Sequence, residues 1–217
     1  MGFRELFGFL EKLQQNNHKE WMDQNRKEYE AVRDFFIHWL DEMNLALGQI
    51  DPIYFNTPGK KAINRINNNL LYHPNRPVYK DHFGAGLDQV SKQGDFYIEM
   101  GVKECFLGGG YWHPSSAILK SIREAIDYNG EEFKAILNQQ SFVTTFGGLI
   151  AAETLVNAPK GFSEDHPHID LLKMKSFAVM TRFSQEEVMA QDFNEKVMVV
   201  YKEMLPFRRY LNQAVTV

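Results

Sequence analysis

The residues best equipped for chemistry lie between positions 65 and 82. Arg65, Asn67, Asn69, Arg76, Tyr79, Lys80 and His82 bring guanidinium, amide, phenol, ammonium and imidazole groups into one short segment punctuated by Pro74 and Pro77. Forked guanidinium donors and an ammonium suit the oxygens of a phosphate or carboxylate. From Thr57 to His82, Lys60, Lys61, Arg65, Arg76 and Lys80 are opposed only by Asp81, a local balance of +4 on a chain of net charge -4. A small basic region on an acidic body fits a compact anionic ligand better than a long polyanion, so nucleic acid is not an expected partner. A solvated basic strand edge would give the same counts. Downstream, Gly109 and Gly110 stand before Tyr111-Trp112-His113 and can bring backbone amides close to a ligand. Arg123 lies on the flank of the apolar stripe of the next helix, where it can reach a cleft edge. These residues together are the expected ligand site.

Other candidate chemistry is weaker. Gly108-Gly109-Gly110 lacks the lysine and hydroxyl residue of a phosphate-binding P-loop, so a tight turn accounts for it. The run Asp165-His166-Pro167-His168-Ile169-Asp170 carries metal-binding side chains, yet its spacing matches no zinc motif and a helix-capping turn is the expectation. Cys105 could pair with His113 as nucleophile and base, but nothing supplies a third, orienting group. No serine elbow or paired-carboxylate motif is present. No catalytic residue is assigned, and no metal or cofactor is expected.

The elements that must position these groups follow from hydrophobic spacing. Phe3, Leu6, Phe7, Leu10 and Leu13 recur every three or four residues, as in an amphipathic helix. Asn16-Asn17 interrupts it, and Asn17 with Glu20 has the form of a capping box opening a second helix. Trp21, Asn25, Tyr29, Val32, Phe36, Leu40, Met43 and Leu47 carry that helix to Gly48. Trp39 widens its apolar face, which implies either a deeper core or a protein-docking surface formed with Trp21 and Tyr29. From Ile63 to about Phe106 the period becomes two. Strands are expected at 63–72 and 78–87, and Phe96, Ile98, Met100 and Val102 give a third its buried face. Arg65, Asn67 and Asn69 share one parity, and Lys80 and His82 share another, so a hairpin would set the two rows side by side.

Pro114 opens the next helix, with Ile118, Leu119, Ile122, Ala125 and Ile126 buried, and Asn129-Gly130 ends it before a shorter helix at about 131–139. Ser141 to Val143, Leu149 to Val156 and Phe177 to Met180 read as strands. Ser184 and Glu187 form a capping box, and a final helix presents Phe193, Val197, Val200, Met204 and Leu205 until Pro206 kinks or ends it. Strands in succession without intervening helices favour antiparallel pairing. The expected class is α+β: a mainly antiparallel sheet packed against an N-terminal helical hairpin, central helices and a C-terminal helix.

With 44% hydrophobic and 24% charged residues, 217 residues suffice for one sizeable core, and no linker divides the chain, so a single domain over 1–217 is expected. Apolar runs fall far short of the roughly 20 residues that span a bilayer. One cysteine rules out an intrachain disulfide framework, and cytoplasm is the expected compartment.

The segment from Arg65 to Tyr79 also resembles the signature of a widespread bacterial domain family of unknown function, roughly R-x-x-R-D-x-R-F followed by [DN]-K-x-x-Y. Arg65 stands at the first arginine, Asn68 and Asn69 replace the Arg-Asp pair, Leu71 the next arginine and Tyr72 the phenylalanine. Asn75, Arg76 and Tyr79 fit the closing part. The likeness extends to Asn16-Asn17-His18-Lys19-Glu20-Trp21, Gly108-Gly109-Gly110, Arg123, Pro159-Lys160-Gly161 and His166-Pro167. It implies a bacterial cytoplasmic protein and supplies no activity. Amides transfer no protons near neutral pH, so Asn68 and Asn69 are expected to hydrogen-bond rather than serve as catalytic acids.

Overall fold

The computed structural model describes residues 1–150 and 153–216. In chain order the elements are α1 (Phe3–Gln15), α2 (Lys19–Gln24), α3 (Arg26–Ile50), α4 (Gly59–Ala62), β1 (His82–Leu87), β2 (Phe96–Gly101) and β3 (Cys105–Tyr111). There follow α5 (Ser116–Leu137), α6 (Gln140–Phe146), α7 (Ile169–Leu172), β4 (Phe177–Phe183), α8 (Gln185–Val188) and α9 (Phe193–Ala214). The strands form one antiparallel sheet in the order β1-β2-β3-β4, which with these helices makes the class α+β. Among the described residues, no helix is long and apolar enough to cross a membrane.

The chain divides into two compact units. The first comprises Met1–Gln89, Phe96–Leu107 and Arg182–Met198; the second Val90–Asp95, Gly108–Thr181 and Val199–Val217.

In the first unit, α1 and α3 bury most of the stripes their spacing predicts, Leu6, Phe7, Leu10 and Leu13 on one and Val32, Phe36, Leu40, Met43 and Leu47 on the other. Phe3 and Tyr29 are half-buried, and Phe9, outside the expected stripe, joins the core. Trp39 belongs to this core. It is 4% exposed, stacks on Phe36 and Phe193, and its indole N–H donates to Asn194 at 2.8 Å. Two expectations are corrected here. His18, not Asn17, caps α2: its Nδ1 accepts from the Trp21 amide at 3.3 Å. Asn17 is spent elsewhere, donating to the Tyr79 carbonyl at 2.9 Å and accepting from its amide at 2.8 Å. The long helix is also broken, at Asn25, whose side chain donates to the Trp21 carbonyl, and it runs past Gly48 to Ile50.

The expected strands at 63–72 and 78–87 shrink to β1 plus isolated bridges, Ile63 to Ala85 and Asn67 to Tyr79. The physical reason is local. Pro74 and Pro77 have no amide to donate, and the asparagine side chains take the partners a ladder would use. Asn68 donates its side-chain amide to the Pro77 carbonyl at 2.9 Å, and Asn17 occupies both backbone groups of Tyr79.

In the second unit, α5 begins at Ser116 with Ser115 as its cap, two residues after the opening expected at Pro114. Asn129 breaks that helix at φ -144°, ψ 52°, and helix resumes to Leu137, so the two expected helices share one kinked element. Residues 140–146 are helical, not a strand; polar Gln140 and Thr144 bond across one turn at 3.3 Å. Of the strand expected over 149–156, Ala151 and Ala152 lie outside the described residues, and Thr154 makes an isolated bridge to Met174. Pro206 neither ends α9 nor stops burial beyond it, since Phe207 and Leu211 are fully buried. Phe133 stacks on Tyr210 and Phe207 at the centre of this unit.

Candidate functional site

Register in β1 and β2 creates two unlike faces. Phe83, Ala85 and Leu87 lie opposite Met100, Ile98 and Phe96 and are buried in the first unit's core. The alternate positions pair His82 with Gly101, Gly84 with Glu99 and Gly86 with Tyr97. Because a strand's side chains alternate, this second face carries just three side chains beyond hydrogen: His82, Tyr97 and Glu99. Gly84 is required there, since a Cβ would run into the Tyr97 hydroxyl.

These three groups interact. The Tyr97 hydroxyl donates to Glu99 Oε2 at 3.0 Å, and His82 Nε2 lies 3.6 Å from the same oxygen. The other imidazole nitrogen lies 3.6 Å from Asp81 Oδ1. The Glu99 side chain is only 14% exposed. Burial pushes its carboxyl above the ordinary value; His82 and the Tyr97 hydrogen bond oppose that, while Glu104 and Asp81 add to it. Asp81 behaves oppositely. Burial pushes it up as well, but the Gln14 amide at 3.0 Å and Lys103 at 3.4 Å outweigh that and leave it low. The environments of the two carboxyls thus shift them in opposite directions.

The segments that carry the cations adjoin β1: Lys80 and Asp81 directly precede it, and the Asn64 amide donates to the Gly84 carbonyl at 2.7 Å. A short antiparallel pairing joins 66–68 to 78–80, with the Lys80 amide donating to the Ile66 carbonyl and the Asn68 amide to that of Val78. It brings Lys80 to Arg65, whose backbone carbonyl accepts from Lys80 Nζ at 2.9 Å. Lys80 is half-buried, and its pKa is lowered by that burial, then by the like charges of Arg65 and Arg76; Glu99 pulls the other way. Arg65 and Arg76 are exposed, and among the described residues neither guanidinium has an ion-pair or hydrogen-bond partner.

The remaining expected site residues divide by role and by unit. Tyr79 is 6% exposed, its backbone clamped by Asn17. Asn67 forms the bridge to Tyr79, and the Asn69 carbonyl accepts from the Tyr72 and His73 amides to turn the loop. Asn68 bonds to protein through its side chain. Gly109, Gly110 and Arg123 belong to the second unit. There a Cβ at Gly109 would meet Met204, and Gly110 lies against Phe177 and Phe207. Arg123 donates to the Leu172 and Met174 carbonyls at 2.7 and 3.1 Å, and burial lowers its pKa. Its donors thus tie down the turn after α7.

Tyr97 and Glu99, which share this face with His82, are not among the residues the sequence singles out, although their strand parity is readable there. The signal available was Gly84 and Gly86 at the alternate positions of β1, which empty the opposing half of that face.

The family model described as "Conserved hypothetical protein (DUF2461)" matches residues 5–210, and the chain belongs to that family. No curated protein and no solved structure matches it.

Proposed function

We propose that this member of the DUF2461 family binds a small anionic ligand, bearing a phosphate or carboxylate, at Arg65, Arg76 and Lys80. The observation that carries this reading is the grouping of like charges: half-buried Lys80 is bound through Nζ to the Arg65 carbonyl at 2.9 Å, and the exposed guanidiniums of Arg65 and Arg76 have no partner of their own among the described residues. Gathering cations without a matching set of carboxylates costs free energy, and a bound anion relieves it. His82, at the start of the adjoining strand, stands between Asp81 and Glu99, 3.6 Å from each. The competing reading, a protein-docking surface on the aromatic helices, has less support, because Trp39 is core.

A thermal-shift series with phosphorylated and carboxylated metabolites tests the proposal. A ligand at about 100 times its Kd stabilises by about 2.7 kcal/mol, and Lys80→Met should remove that shift. No shift with any anion, or an equal shift in the Lys80→Met protein, would reject it.

A further inference from the structure

We propose that Glu99 is itself part of this anion site and meets the ligand in its acid form, so that each anion bound brings one proton to Glu99. The inference rests on the anion-binding reading above and adds a residue and a regulatory property to it.

Geometry supplies the first support. Glu99 projects from the face it shares with His82 and Tyr97, opposite Gly84, with 14% of its side chain exposed. The Asn64 amide donates to the carbonyl of Gly84, the residue opposite Glu99, at 2.7 Å, and Lys80 Nζ bonds to the carbonyl of Arg65, the residue after Asn64, at 2.9 Å, so Lys80 and Glu99 meet at the same end of this face. When ionised, Glu99 serves as the partial counter-charge of the cation group. An incoming anion must then share Lys80 with a carboxylate of the same sign.

The groups around Glu99 decide how that conflict resolves. On its own strand Tyr97 donates to it; across the pair His82 Nε2 stands at 3.6 Å; Lys80 and Asp81 come from the segment before β1; Glu104 and Cys105 come from the start of β3. Burial, Asp81 and Glu104 already favour the protonated carboxyl. A bound anion adds a negative charge and draws off the attraction of Lys80, and both changes push the same way. The protonated carboxyl then gains a role, since its O–H can donate to a ligand oxygen. Linkage is reciprocal: if the anion favours the proton, the proton favours the anion. Affinity therefore falls as pH rises above the titration of the empty site, by at most about tenfold per pH unit.

Sulfate is the suitable probe, because it is an oxyanion that does not itself titrate near neutral pH. Calorimetry of the whole chain in two buffers of different ionisation enthalpy counts the protons taken up. The expected result is uptake approaching one proton per sulfate near the midpoint of the transition. In Glu99→Gln, whose amide still donates, sulfate should bind with no proton uptake and with an affinity flat in pH. Sulfate binding to the natural protein without proton uptake would overturn this inference and leave the anion site standing. Equal uptake in Glu99→Gln would also overturn it, assigning the proton to His82. Absence of sulfate binding, or unchanged binding in Lys80→Met, would sink the anion site and this inference with it. Should Glu99→Gln fail to fold, His82→Gln takes its place: uptake kept in that protein assigns the proton to Glu99, and uptake lost assigns it to His82 and overturns the inference.

Discussion

Asn17 illustrates how a single side chain sets the geometry of the cation segment. Its carboxamide matches the spacing of a backbone donor and acceptor, and it holds both polar groups of Tyr79 at 2.8 and 2.9 Å. The Tyr79 ring is buried, so those backbone groups have poor access to water if Asn17 is lost. Leaving a buried donor or acceptor unmatched costs about 1–3 kcal/mol, and because these two bonds are part-buried each falls in the lower part of that range, about 1–2 kcal/mol. Asn17→Ala should therefore destabilise by about 2–4 kcal/mol in denaturant unfolding, and it should weaken anion binding, because Tyr79 precedes Lys80. A loss below about 1 kcal/mol, the size of an ordinary helix-cap deletion, would contradict this assignment. By its residue type Asn17 reads as a cap, and the cap role passes to His18 because the long-range partner uses both ends of the amide.

At the scale of elements, the kink in α5 is held by two outside side chains. Asn129 leaves helical geometry, which frees carbonyls that a regular helix would use. The Tyr210 hydroxyl spans the break, sharing its single proton between the Ala125 carbonyl at 3.2 Å and that of Asn129 at 3.1 Å. Beside it His168 packs onto Gly130, where any Cβ would strike the imidazole ring. Gly130→Ala should cost about 1–3 kcal/mol as overpacking against the buried His168 ring, read as a fall in Tm. An unchanged Tm would show that His168 shifts freely. Helices proved legible in the sequence because a period of 3.6 survives local noise; the stripes of α1, α3 and α9 contain most of the residues expected of them. The kink at Asn129 was visible as a stop signal, though not as a bend within one element. The segment 63–81 was legible only in part. Its parity pattern is that of strands, but Pro74, Pro77 and the bonds made by Asn17 and Asn68 replace ladder pairing with loop. Glu99 was hidden for a different reason. Its surroundings come from glycines on another strand, and register across a sheet is not written in either strand alone.

At the scale of the whole molecule, these local environments predict how stability responds to alkali. Burial, helped by Glu132, pushes the Tyr210 phenol up from 10.0 to about 12. Tyr29 and Tyr111 are raised as well, again chiefly by burial. A group whose folded pKa exceeds its unfolded one stabilises fully below the unfolded value, and that stability is lost as pH rises through the folded value. The unfolded chain therefore releases phenolic protons from about pH 10 upward, while the folded chain keeps them until about pH 12 at Tyr210. Unfolding becomes easier across that window, and the phenolate that finally forms can no longer donate to the kink in α5. Glu99 contributes in the same sense at lower pH, since its carboxyl is also raised. Chemical unfolding from pH 9 to 12 should show stability falling with proton release, and Tyr210→Phe should lose the hydroxyl's hydrogen bonds at neutral pH yet decline less steeply above about pH 10. A Tyr210→Phe protein that follows the natural one in parallel through the whole range would show that this phenol carries none of the alkaline response.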